Sequence, residues 1–141
     1  MKLKLLIATS FLSAISFNAV SGDNGTNNEP ATCSLATLKG TYIYFAQTET
    51  RAIAAMESFD GAGNYYTKST VNSNSDVTTT VGRYNVLSDC TGTQNQEGGI
   101  SFNIFIDPKG NSFSWVETDR KHINAGIESR ISKAMLVTIP K

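Results

Sequence analysis

The chain has 141 residues, with 12 Lys/Arg, 12 Asp/Glu, one His and two Cys. No basic cluster exceeds the pair Arg120-Lys121, which argues against a nucleic-acid surface, since that needs many phosphate-neutralising cations on one face. One histidine and two distant cysteines fall short of a metal-ligand set, so no metal and no cofactor is expected.

The first stretch, "MKLKLLIATSFLSAISFNAVSG", opens with Lys2 and Lys4, runs apolar from Leu5 to Phe17 and reaches the small residues Ala19 and Ser21. That is the pattern of a secretory signal peptide over residues 1–21. Its apolar run is about 13 residues, short of the ~20 that cross a bilayer as a helix. Export to the periplasm or the extracellular space is therefore expected, with no membrane span in the mature chain. Losing Lys2 and Lys4 leaves residues 22–141 with two more acidic than basic residues. "GDNGTNNEPAT" (22–32) is polar and aperiodic, and is expected as a disordered leader. Asn24-Gly25-Thr26 is a formal N-glycosylation acceptor, relevant only in a eukaryotic source.

One domain is expected over 33–141. Turn signals punctuate it every eight to twelve residues. "KGTYIYFAQT" (39–48) places Tyr42, Tyr44 and Ala46 on one face and Ile43 and Phe45 on the other. "AIAAMESF" (52–59) suits helix or strand, but the following Asp60-Gly61 favours a hairpin into "NYYTKSTVN" (64–72). "SNSD" turns the chain into "VTTTVGRYNV" (77–86), and a fifth strand starts at Cys90 and ends at Glu97-Gly98-Gly99. "ISFNIFI" (100–106), the turn "DPKG" (107–110) and "NSFSWVETD" (111–119) follow. "HINAGIESRIS" (122–132) alternates most cleanly. Ile123, Ala125, Ile127 and Ile131 form an apolar face expected to be buried, with Asn124, Glu128 and Arg130 facing water. The tail 133–141 is expected as a short strand or a plug across the barrel end.

About eight short strands with tight turns and no long crossover predict an all-β, antiparallel fold. Strands apolar on both faces, notably 41–47 and 112–118, suit an eight-stranded barrel better than a thin sandwich. In an oxidising compartment the two cysteines read as a structural disulfide, Cys33–Cys90, which pins the incoming tail to the barrel wall. Closing so long a loop is worth roughly 4 kcal/mol in the chain-entropy model.

The ordered series "CSLATLKGTY", "FDGAGN", "GRYNVLSDCTGT" and "GIESR" resembles small exported bacterial proteins with an allene oxide cyclase-like, calycin-type β-barrel. The resemblance spans roughly residues 33–132 and rests on turn and cysteine signatures. It implies the barrel and a bacterial source. The plant cyclases that name the barrel rearrange an oxidised fatty acid, but their functional residues match no position here, so no activity carries over. Members of the bacterial group are mostly of unassigned function.

Candidate chemistry is sparse. Gly61-Ala62-Gly63-Asn64-Tyr65-Tyr66 lacks the third glycine and the following helix of a dinucleotide loop, and reads as a hairpin turn. His122, beside Asp119, Arg120 and Lys121, reads as a solvated residue at a strand start rather than a general base. Glu57, Glu117, Glu128 and Arg130 are expected to point outward, because unpaired buried charge is costly. Tyr42, Tyr44, Tyr84 and Trp115, with Phe102, are the expected ligand-lining residues if the lumen has room; otherwise they fill it. "STVNSNSDVTTT" (69–80) is a polar hairpin with Asp76 as its one charge, and it suits a solvated edge or an interaction surface. The leading expectation is a non-enzymatic barrel binding a small apolar or amphipathic ligand. The alternatives are a surface or interaction protein with a filled core, and an isomerase or cyclase acting in the lumen. Two converging charges in a cavity would favour the enzyme; an uncharged aromatic cavity would favour the binder.

Overall fold

The computed structural model describes residues 32–47, 51–72, 74–118 and 124–138. The expected signal peptide, Asn24 and the rest of the leader before Thr32, and the segment 119–123 with His122, lie outside the described residues. After one 3-10 turn, Leu35–Thr37, come eight strands: β1 (Lys39–Gln47), β2 (Ala52–Asp60), β3 (Asn64–Val71), β4 (Asn74–Val86), β5 (Thr91–Gln96), β6 (Ser101–Ile106), β7 (Ser112–Glu117) and β8 (Ala125–Ser132). Each pairs antiparallel with the next, and β8 closes onto β1, which leaves no free edge. The expected all-β barrel is the fold observed. Among the described residues no helix is long and apolar enough to cross a membrane.

The hairpins β2–β3, β4–β5 and β6–β7 all turn at one end of the barrel, and an aspartate braces each turn. Asp60 Oδ1 accepts from the N–H groups of Ala62 (2.7 Å) and Asn64 (3.0 Å), while Gly61 and Gly63 take the positive φ the turn requires. Asp89 accepts from the N–H and hydroxyl of Thr91. Asp107 accepts from the N–H groups of Lys109 and Asn111. The Cys33–Cys90 disulfide is present at this end, with Cα atoms 5.0 Å apart, and the Cys33 N–H donates to the Ser88 carbonyl. Cys90 itself sits at φ +66°, a conformation usually left to glycine; here the position must supply a sulfur.

Alternation sends Tyr42, Phe59, Tyr65, Tyr84 and Phe113 into the lumen near these turns. Phe59 is the hub, its ring centroid 5.1–5.6 Å from those of Tyr42, Tyr65, Tyr84 and Phe113. Leu38, Val86, Ile104 and Ile106 complete this packed half. Three interior glycines make room for large neighbours directly across the ladder: Gly82 opposite Tyr65, Gly92 opposite Ile104, and Gly126 opposite Trp115. A Cβ on Gly82 would lie 2.3 Å from the Tyr65 ring, and one on Gly126 would lie 2.7 Å from the Trp115 ring. An eight-stranded lumen is just wide enough for side chains, and glycine–aromatic pairing is how this one fits two of its largest rings.

Two expectations are overturned. On β8 the faces are inverted: Glu128 is 1% exposed, whereas Ile127 and Ile131 are 68% and 50% exposed. Glu57 on β2 is buried as well, at 5%. The reason is register. Gly126, Glu128 and Arg130 share a face, and Gly126 must face inward to receive Trp115, so Glu128 goes inward with it. The outer wall takes the apolar residues instead, including Phe45 and Phe105 at 64% and 55% exposure. The tail also departs from expectation. It crosses the outside of β1 and β2, where the N–H groups of Leu136 and Val137 donate to Ser58 Oγ (3.1 and 2.9 Å) and Thr41 Oγ1 donates to the Ala134 carbonyl (2.7 Å).

Candidate functional site

Beyond the aromatic plug, the half of the lumen away from the disulfide is chemically different. Glu57 of β2 and Glu128 of β8 flank β1, standing opposite Tyr42 and Tyr44 in the ladder. Glu57 is held from two directions: Thr67 Oγ1 on β3 donates to Oε1 (2.8 Å), and Gln94 Nε2 reaches over from β5 to donate to Oε2 (2.7 Å). Burial nevertheless pushes the Glu57 carboxyl up to about 7, with these two hydrogen bonds opposing the rise. Glu128 is driven well above the usual carboxylate range, by burial first and by the charge of Glu57 second. Trp115 is the neighbour that opposes this rise, although its Nε1 meets no acceptor at hydrogen-bonding geometry. Burial together with the two carboxyls also raises the phenols of Tyr44 and Tyr65.

Between these groups lies a pocket walled by the apolar Tyr44, Ile53, Phe102 and Trp115 and by the polar Glu57, Glu128, Gln94 and Asn124. Its free volume is about 30 Å³, room for a water or two. Among the described residues, four buried polar atoms have no hydrogen-bond partner: Trp115 Nε1, Glu128 Oε2, Asn124 Oδ1 and Tyr65 OH. The first three belong to the pocket wall, and the Tyr65 phenol is close enough to feel both carboxyls. Orphaned buried polar groups are rare in folded proteins and ask for a partner. Two larger hollows, of about 310 and 290 Å³, lie on the outer wall around Arg83 and Asn95 and around Asn85 and Phe105. No orphaned buried atom lines either of them.

Of the four aromatics singled out in the sequence, Tyr44 and Trp115 border this pocket, as does Phe102. The Trp115 ring stands nearly perpendicular to both its neighbours, 5.5 Å from Tyr44 and 5.3 Å from Phe102. Tyr42 and Tyr84 lie in the packed half, where their hydroxyls tie the plug to backbone. Tyr42 OH donates to the Gly110 carbonyl (2.6 Å), and Tyr84 OH contacts the carbonyls of Leu35 (2.9 Å) and Leu38 (3.0 Å). Burial raises both phenols to about 12, with Arg130 opposing the rise at Tyr42. Gln94 escapes the sequence reading, which turns Asn124, Glu57 and Glu128 outward. The available signal was parity: Glu57 is two residues from Phe59, and Glu128 is two from Gly126.

No protein-family model matches the chain, and no curated protein matches its sequence. Its fold is similar to a redesigned β-barrel, mFAP1, solved bound to DFHBI. The TM-score is 0.52 at 18% identity, over 68% of this chain and 97% of that one.

Proposed function

We propose that this chain is an exported small-molecule-binding barrel that takes an amphipathic ligand into the open half of its lumen. The observation that carries the reading is the cluster of orphaned polar atoms around an aromatic-walled pocket, the combination by which binding sites orient a ligand within an apolar cleft. With about 30 Å³ free, a ligand enters by displacing the half-buried rings of Tyr44 and Phe102 rather than by filling a void. The mFAP1 barrel is bound to DFHBI, which supports a lumen of this type receiving a small molecule. Export is supported by the leader pattern of residues 1–21 and by the disulfide. The cysteine and turn series resembling allene oxide cyclase-like exported proteins supports a bacterial source.

A second reading has its own observation. Two carboxyls sharing one buried site, one of them titrating near neutrality, are what proton-transfer chemistry requires, so an isomerase or cyclase acting here is the runner-up. The filled-core alternative describes only the disulfide half. Native mass spectrometry of the protein purified from its own host tests the binding reading. A reproducible small-molecule adduct, lost in a Trp115→Ala variant, is the expected result. A bare mass, unchanged after incubation with host lipid and metabolite extracts, overturns it.

A further inference from the structure

Building on the binding reading, we propose that the ligand carries an organic ammonium group, seated between Glu57 and Glu128 with its carbon body against Tyr44, Phe102 and Trp115. Two buried carboxyls with no counter-charge have only two stable conditions: protonated, or paired with a cation. Among the described residues the surroundings supply no such cation. Facing the pair are Tyr44 from β1, Tyr65 and Thr67 from β3, Gln94 from β5, Phe102 from β6 and Trp115 from β7, while Glu117 of β7 accepts from Asn124 Nδ2. β4 contributes Tyr84, which lies in the packed half. No Lys or Arg is among the causes acting on either carboxyl. Arg130, two residues along β8 from Glu128, is directed to the disulfide end, where its guanidinium donates to the Lys109 carbonyl (3.1 Å) and Asn111 Oδ1 (2.8 Å).

The orphaned atoms point the same way. Glu128 Oε2 and Asn124 Oδ1 are acceptors without donors, and an ammonium group brings up to three donors. Ionising Glu128 to receive it also offers the unpaired Trp115 N–H an acceptor. The walls suit a cation that carries carbon. Rings set at 80° and 76° to Trp115 form an angled box, and aromatic faces attract ammonium ions. A bare metal ion fits poorly: among the described residues no group of three His, Cys, Asp or Glu converges, and hard cations take six or more oxygens or keep their water.

Benzylamine and benzyl alcohol share a shape and differ in charge, and the chain's single tryptophan lines the pocket. Titrating the exported form with each probe, by Trp115 emission and by calorimetry, tests the proposal. At pH 8 benzylamine is expected to bind at least about tenfold more tightly than the alcohol. Its advantage shrinks by pH 5, where the pair is protonated, and binding near pH 7 releases protons to the buffer. Glu128→Gln and Glu57→Gln each abolish the advantage while leaving the alcohol's affinity in place. If either variant fails to fold, the pH comparison on the unmodified protein decides. Equal affinity for both probes at pH 8 overturns the ammonium proposal and leaves the binding reading standing. Failure of both probes to perturb Trp115 or release heat overturns the two together.

Discussion

The two halves of the lumen are walled by the same eight strands but solve opposite problems. In the disulfide half, Phe59 touches four other rings, the hydroxyls of Tyr42 and Tyr84 end on backbone carbonyls, and three turns braced by aspartates close the strands. In the other half, among the described residues, two carboxyls are buried without a cation and three polar atoms of the pocket wall have no partner, with the Tyr65 hydroxyl a fourth at the boundary. A barrel gives each strand two faces and little volume, so stability and recognition cannot share a layer. Here they are divided along the axis: one half is packed for stability, and the other keeps polarity that only an added molecule satisfies.

The division can be broken most severely at its hub. Phe59→Ala is expected to cost ~3–5 kcal/mol, read as a lower denaturant midpoint, because it opens a cavity among rings with no means of collapse. A loss below 1 kcal/mol would show that the plug is not the stabilising half. Replacing both cysteines by serine, which removes the tie between Cys33 and Cys90, is expected to cost ~2–4 kcal/mol, with emission from Trp115 in the native state unchanged.

Acid sharpens the contrast from the other side. Glu57 is raised from 4.5 to about 7 and Glu128 is raised too, so the folded state holds more protons than the unfolded state across that window. Stability is therefore full below pH 4.5 and falls as pH rises towards 7 and beyond, by ~3 kcal/mol from Glu57 alone, with Glu128 adding to the loss. The double variant Glu57→Gln, Glu128→Gln should flatten this slope. An unchanged slope in equilibrium unfolding from pH 4.5 to 8 would place its origin elsewhere. The mildest test is Phe102→Ala, expected to cost ~1–2 kcal/mol because the ring is only half-buried. It should shift Trp115 emission far more than Phe59→Ala shifts it.

The disulfide half was legible in the sequence because its signals are local. Asp60-Gly61, Asp107-Pro108 and the cysteine pair each announce themselves within a few residues, and the strand between two such turns follows from alternation. The other half depends on which parity of a strand faces inward, and alternation alone is silent on that. On β8 the apolar residues looked like the core face, yet Trp115 needed the space above Gly126 and brought Glu128 in with it. A strand-pairing constraint overrode hydrophobicity, and Ile127 and Ile131 were left outside. Glu57 was misassigned for the same reason: the partners that make its burial tolerable, Thr67 and Gln94, come from other strands.

The Cys33–Cys90 bond also changes how the molecule would carry mechanical load. Tension entering ahead of Cys33 passes straight to Cys90, so the 57 steps of chain between them, with β1 to β4, are bypassed while the bond holds. Pulled between Cys33 and the tail, the oxidised protein should lengthen only through β5 to β8 and the tail. Reduction should then release a further ~190–205 Å of contour, a single added step in a force–extension trace.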